Sequence, residues 1–423
     1  MRRHVSGLAI SEAPPANVPL RFLIASVLWG IVAGGWIAWH GDTALASRWT
    51  PATIALVHLL VLGVIGNAML GALTQFLPVA ARSRLSWAPA VPVLHGGFNV
   101  GLAVFAFAMT TMATSLLPLA AALLGVPLVG FAGMACLALW RGAGARWLRG
   151  GIGMSMCALA VTAMLGVVAL LTLAGRLPYD LAALVDVHAS VGTVGAVLVL
   201  IAAIGAVTLP MLQGTRSPAP WWLPAWACAV ALGLIAGAWQ RARGGGDVLI
   251  GTITITTGAF AGASLWLQAR TRLRRNPTLA RFWTLGMSAL LVAAACLTLP
   301  LPPDIDRAML VGTLVLAIGF PAVVVGMMLE IVGFLAWIHL RGVVPRGRQV
   351  PGVGRLMPEG DKRVVCAAHV VSAVAVLLAM TLHEGHAAAG FAYASAWFAT
   401  AMALVRCGLR VRRERKTPGS APA

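Results

Sequence analysis

The chain has 423 residues, of which 60% are hydrophobic and 10% charged, and it carries a net charge of +19. A soluble domain carries roughly 25% charged residues, so a chain this apolar could not cover itself with polar groups in water, and a soluble globular fold is excluded. Apolar stretches of roughly 20 residues, each long enough to cross a bilayer core, recur from one end to the other.

In chain order the expected organisation is a cytoplasmic segment over 1–20, one membrane domain over 21–408, and a basic cytoplasmic tail over 409–423. Residues 1–18 hold two Arg and then Pro-rich polar sequence, and no cleavable signal peptide is evident. Twelve helical spans are predicted, at 21–40, 51–79, 89–113, 116–140, 151–174, 183–212, 221–240, 248–268, 280–300, 309–338, 364–382 and 388–408. Alternate loops between them collect the basic residues. One side takes Arg2, Arg3 and Arg21, then Arg82 and Arg84, then Arg141, Arg146 and Arg149, then Arg216. The same side takes Arg270 through Arg281, Arg341 through Arg363, and Arg406 through Lys416, making 26 of the 31 Lys and Arg. The positive-inside rule makes this side cytoplasmic and puts both termini there. The charge is thereby explained by orientation in a bacterial inner membrane, and no nucleic-acid partner is expected. Trp39, Trp49, Trp87, Trp140, Trp147, Trp221 and Trp222 fall near span ends, as an aromatic belt against membrane lipid requires. The six Cys sit singly in or beside spans with no C-x-x-C pair, so neither a disulfide framework nor a zinc site is indicated.

Spans two, six and ten resemble one another. They contain Gly71-Ala72-Leu73-Thr74-Gln75-Phe76-Leu77-Pro78, Gly205-Ala206-Val207-Thr208-Leu209-Pro210 and Gly326-Met327-Met328-Leu329-Glu330-Ile331-Val332-Gly333-Phe334. Their recurrence every four helices predicts three four-helix units. In this alignment His58, His188 and Thr313 occupy corresponding places, and His95 and His369 form a second layer in spans three and eleven.

Ionisable side chains inside a membrane are expensive, so each is a functional candidate. Neutral imidazole ligates haem iron and copper. His58, His188, His95 and His369 are therefore candidate cofactor ligands, the alternative for each being a hydrogen bond to a neighbouring helix. Gly63, Gly66, Asn67 and Gly71 are expected to leave room for a flat macrocycle beside His58. Asp186 is a candidate to fix the His188 tautomer from behind. Glu330 is a candidate proton relay. His383 and His386, with copper in mind, are a candidate metal pair at the opposite edge. The Thr252, Thr254, Thr256 and Thr257 row is expected to bond back onto its own helix.

The strings His58-Leu-Leu-Val-Leu-Gly63, Gly71-Ala-Leu-Thr-Gln-Phe-Leu-Pro78 and Leu329-Glu-Ile-Val-Gly-Phe-Leu-Ala-Trp337 are similar to bacterial proteins described as oxidase subunit I-like, and the chain as a whole resembles subunit I of the haem–copper oxidases. The resemblance implies an all-α, twelve-helix membrane fold in three four-helix units and a haem on His58. Such oxidases carry a His motif in span six, a His-His pair in span seven and His-x-His in span ten. Here span six has His188, span seven has no His and the interior of span ten has none. Oxygen reduction is not expected. The NnrS family is a second resemblance of the same haem- and copper-associated class, although its Trp-His-Ala-His-Glu string is not found.

The leading expectation is a haem-binding membrane protein that transfers electrons to a redox partner or responds to a small gas. The alternatives are a proton-coupled transporter using Glu330, with Pro78, Pro210 and Pro321 breaking its helices, and a cofactor-free assembly factor.

Overall fold

The structure, a computed structural model, describes residues 9–85, 88–271, 275–344 and 349–416. Arg2, Arg3, Arg272, Arg274, Arg346, Arg348, Trp87 and the 417–423 end of the tail lie outside the described residues. Twelve helices are long and apolar enough to cross a membrane: α1 Asn17–Ala44, α2 Pro51–Val79, α3 Val91–Thr111, α4 Thr114–Arg141, α5 Arg146–Leu173, α6 Leu181–Gln213, α7 Trp222–Ala242, α8 Asp247–Ala269, α9 Pro277–Cys296, α10 Arg307–Val343, α11 Glu359–Leu382 and α12 His386–Lys416. Each coincides with one of the twelve expected spans. At both ends of the chain the helices extend beyond the expected spans. The helix of α1 begins at Asn17, and α12 runs through the basic residues to Lys416, so most of the expected tail is helix.

The helix ends follow from local chemistry. Thr50 caps α2 by accepting from Thr53 N at 3.1 Å, with Pro51 at the first helical position, where its missing N–H costs nothing. Asp180 caps α6 and Asp306 caps α10 in the same way. Gly214, at φ +76°, lets α6 end in a left-handed turn. Of the expected row, Thr252 and Thr256 bond back to Val248 O and Thr252 O at 2.7 and 2.6 Å, whereas Thr254 Oγ1 has no hydrogen-bond partner among the described residues.

Three of the long helices, α2, α6 and α10, at 29, 33 and 37 residues, each contain a π-helical stretch, Leu59–Gly66, Val191–Leu198 and Thr313–Gly319 respectively. Each stretch closes with a backbone N–H reaching back five residues rather than four: Asn67 to Leu62, Val199 to Val194, and Phe320 to Val315. Such wide turns are rare and cluster at functional sites. In α10 a local cause is Pro321, which has no N–H to offer the carbonyl four residues back.

The chain divides into two compact units. The first holds residues up to Val18, Leu73–Leu273 and Leu290–Pro300, and the second holds Pro19–Ala72, Arg274–Ala289 and Leu301–Ala423. In the first, α3 to α8 pack largely against their neighbours in sequence. Between helices in lipid the hydrophobic effect gives little drive, so contact rests on close packing and interhelical hydrogen bonds. Ser155 of α5, fully buried, donates to Ala196 O inside the π stretch of α6 at 2.7 Å. Four residues earlier Gly151 faces Ala203, where a Cβ on the glycine would stand 3.3 Å from the alanine Cβ.

Within the second unit the same contact occurs twice. Ser26 of α1, also fully buried, donates to Val64 O inside the π stretch of α2 at 2.8 Å. Four residues earlier Phe22 fills the space beside Gly71, 2.6 Å from where a Cβ would be. In α9, Gly286 backs onto Gly319 O, which a Cβ would meet at 2.7 Å, and Phe282 fills the space beside Gly326. On each receiving helix the glycine or alanine (Gly71, Ala203, Gly326) lies seven residues past the carbonyl (Val64, Ala196, Gly319). The place expected for Gly205 is thus held by Ala203, two residues earlier. The counterparts of His58, six residues before its carbonyl, are Ser190 and Thr313. His188 is two residues off, roughly 200° around the helix.

α1 and α12 also cross closely in this unit. A Cβ on Gly34 would stand 2.3 Å from Ala394 N, and one on Gly390 would stand 2.2 Å from Ala38 N.

Candidate functional site

His58 lies on the last α-helical turn of α2 before the π stretch. Its Nδ1 is 2.7 Å from Ile54 O. A carbonyl can only accept, so Nδ1 carries the proton and the neutral ring holds its electron pair on Nε2. A backbone carbonyl behind a ring is how ligating histidines have their tautomer fixed. The expected room beside α2 is smaller than the glycines suggested. Phe22 occupies the space at Gly71, and Asn67, fully buried, donates its amide to Gly63 O at 3.0 Å and Leu62 O at 3.3 Å.

His188, in the other compact unit, has Nδ1 3.0 Å from Thr162 O of α5. It too keeps its electron pair on Nε2. Its ring lies over Gly166, where a Cβ would meet Cε1 at 3.0 Å. Asp186 has a partner on another helix. It accepts from Arg241 Nε of α7 at 2.9 Å, because two residues of helix turn it to a different side from His188.

His95, half-buried in α3, has its backbone carbonyl taken by the Asn99 amide at 2.8 Å. His369 of α11 is a different kind of site. Its Nε2 is 3.0 Å from Thr400 Oγ1, and that hydroxyl gives its proton to Ala396 O at 3.0 Å. Nε2 therefore donates, and the electron pair lies on Nδ1. Trp397 and Phe282 stand edge-on to the ring at 5.2 and 6.0 Å between centroids. His58 and His188 thus carry the proton on Nδ1, and His369 carries it on Nε2.

His383 and His386 have separate partners. His383, in a left-handed turn that ends α11, has Nε2 3.4 Å from Asp304 O. The Nδ1 of His386 is 2.6 Å from Asp42 Oδ1. Among the described residues no group of three or more His, Cys, Asp or Glu is placed to hold a metal ion.

Glu330 of α10 is 7% exposed and Lys362 of α11 is 4% exposed. Lys362 Nζ lies 2.5 Å from Glu330 Oε1 and 3.9 Å from Glu359 Oε2. Glu359 Oε1 accepts from Thr278 N at 2.9 Å and Thr278 Oγ1 at 2.5 Å. Its carboxylate thereby satisfies the first turn of α9, where the helix end is positive. Three helices of one unit are joined by this chain of charges. Sequence reading placed Lys362 in a loop, because span eleven was expected to start at 364, whereas α11 starts at Glu359. The signal for it was the acidic first turn, Glu359 and Asp361, which favours a helix start.

Cys136 and Cys157 were also not expected to meet, yet their Sγ atoms are 3.9 Å apart between α4 and α5.

No protein-family model matches the chain, and no curated protein matches it. Twelve long apolar helices and the absence of strands among the described residues make this a multi-pass, all-helical membrane protein.

Proposed function

We propose that this is a haem-binding protein of a bacterial inner membrane, built from three four-helix units with an oxidase subunit I-like arrangement, its termini on the cytoplasmic side. The observation that carries this reading is His58. Its Nδ1–H is committed to Ile54 O, so Nε2 carries the electron pair beside the π stretch of α2. The Ser26, Ser155 and Gly286 contacts favour three equivalent pairs of helices. The concentration of Arg and Lys in alternate loops favours the orientation.

In this reading His58 would hold haem iron through Nε2, with its ring held in place by Ile54 O. A bound haem would supply one-electron chemistry or a site for a small gas such as oxygen or nitric oxide. Three imidazoles for a neighbouring copper are not gathered among the described residues, so oxygen reduction is no part of the proposal. Oxidised and dithionite-reduced absorption spectra of the protein purified after haem-supplemented expression test it. A Soret band lost in His58→Ala is expected. A featureless visible spectrum, or a Soret band unchanged by that substitution, refutes the reading. His188→Ala, read separately, reports whether His188 holds haem on its own account.

A second reading, proton-coupled transport, is favoured by the buried Lys362–Glu330 pair. A carboxylate inside a membrane bundle is a usual coupling element. Substrate uptake into vesicles that follows an imposed proton gradient in wild type and fails in Glu330→Gln would support it.

A further inference from the structure

We propose that Glu330, Lys362 and Glu359 form a one-proton latch between α10 and α11, in which a proton arriving at Glu330 moves Lys362 from Glu330 to Glu359. This deepens the transport reading but can be tested apart from it.

Three observations carry it. Lys362 is a single ammonium facing two carboxylates, at 2.5 and 3.9 Å, and it can neutralise one at a time. The two carboxylates are unequally supported. Glu359 has an independent place for its charge, since Thr278 gives it two hydrogen bonds at the positive end of α9. For Glu330 the hydrogen-bond partner among the described residues is Lys362. When a proton is added, Glu330 is therefore the site that accepts it at least cost. A buried ammonium left without a partner is strongly disfavoured, and Glu359, on its own helix one turn back, is already within reach.

The proton balance is simple. Before, Glu330 is a carboxylate paired with the Lys362 ammonium, while Glu359 is a carboxylate held by Thr278. After, Glu330 is a neutral acid and the Lys362 ammonium pairs with Glu359. One proton is bound and no other bond is made or broken. The ion pair joining α10 to α11 is exchanged for one inside α11. The other charges nearby do not compete for this role. Asp361 is held by Arg406 and Arg410 of α12, at 3.3 and 2.7 Å. Arg281 of α9 is exposed.

The contact pattern of the other long helices supports the assignment. Glu330 lies four residues past Gly326, the glycine that receives Phe282, and the residue four past Gly71 is Gln75. Gln75 is 6% exposed, and neither of its amide atoms has a hydrogen-bond partner among the described residues. The corresponding position of α2 thus holds the neutral isostere of Glu, with no counterpart of Lys362. A Glu330→Gln variant asks α10 to carry a residue that α2 already buries.

The test is infrared difference spectroscopy of the whole protein on acidification from neutral pH down through the ordinary carboxylate range, with amide hydrogen exchange at the start of α11 measured alongside. The expected result is one protonated-carboxyl band that shifts on ¹³C-glutamate labelling and vanishes in Glu330→Gln. Exchange in the first turn of α11, corrected for intrinsic rates, should rise about tenfold on acidification, the size of one charged hydrogen bond lost. It should already be raised in Glu330→Gln at neutral pH. No glutamate band in wild type overturns the proposal, and this arm needs no variant to fold. A band that survives Glu330→Gln but is lost in Glu359→Gln also overturns it, by placing the proton on the wrong carboxylate. If the band and the exchange behave as expected while no substrate moves, the latch stands and the transport reading falls.

Discussion

Ser26 holds the Val64 carbonyl at 2.8 Å across the α1–α2 contact, inside the wide turn that follows His58. Ser155 holds Ala196 in the same way at 2.7 Å. A π turn leaves carbonyl geometry that an α-helical N–H does not fill well, and a hydroxyl from the neighbouring helix fills it. Ser26→Ala and Ser155→Ala should each cost about 1 kcal/mol, read as a lower thermal midpoint in detergent. Gly286 makes its contact with no side chain, and a Cβ there would stand 2.7 Å from Gly319 O. Gly286→Ala should therefore destabilise at least as much, although it adds a methyl group to an apolar protein. Equal stability of wild type and all three variants would remove this contact as a support of the fold.

Asp186 and Arg241 are partners at 2.9 Å, each about one-fifth exposed. If this pair is a unit, Asp186→Asn and Arg241→Gln should each lower stability and the double variant should lose little more than either. A coupling of about 1 kcal/mol or less is expected of a pair so placed. The His188 tautomer should not change, since Thr162 O sets it. Nitrogen-15 shifts of the His188 ring that move in Asp186→Asn would show instead that the carboxylate acts on the imidazole.

Why the spans were legible and the site was not follows from what each depends on. A run of 20 apolar residues marks a membrane helix whatever it packs against, so all twelve could be placed from hydropathy alone. Register between repeats depends on contacts. Gly205 looked like the partner of Gly71 because α6 is rich in small residues, and the two-residue slip that Ala203 reveals changes no hydropathy at all. The same slip made His188 look equivalent to His58. Around Leu59 and Val191 no proline or other breaker marks the π turn, whereas in α10 Pro321 follows it closely. Glu330 was legible as a buried acid. Its partner was not, because a Lys near a span end reads as a loop residue until the helix start is known.

Glu12 pairs with Arg84 on the surface of the first unit. The hydrogen bond and charge of Arg84 hold the Glu12 carboxyl below its ordinary value. A lowered carboxyl contributes stability above its unfolded value and loses it as pH falls through the folded one. Wild type and Arg84→Gln should therefore differ most at neutral pH and converge below about pH 4. The difference should be small throughout, because both groups are solvated. Thermal scans at the two pH values check this, and a gap that widens on acidification would contradict the pairing.

Cys136 and Cys157, 21 residues apart in sequence, bring their Sγ atoms to 3.9 Å between α4 and α5. A disulfide needs a sulfur separation of about 2.05 Å with Cβ atoms about 3.8 Å apart, so a side-chain rotation with little backbone movement should close it. Cys157 is exposed and open to a membrane-permeant oxidant. Mild oxidation with copper phenanthroline should give one intramolecular cross-link, seen by mass spectrometry as the loss of two hydrogens on the joined peptides of α4 and α5. Cys136→Ser and Cys157→Ser should each abolish it, while Cys228→Ser should leave it unchanged. The register of α4 on α5 would have to be redrawn if the cross-link failed to form in the wild-type protein, because a slip of one residue turns a side chain roughly 100° around the helix and carries the thiols out of reach.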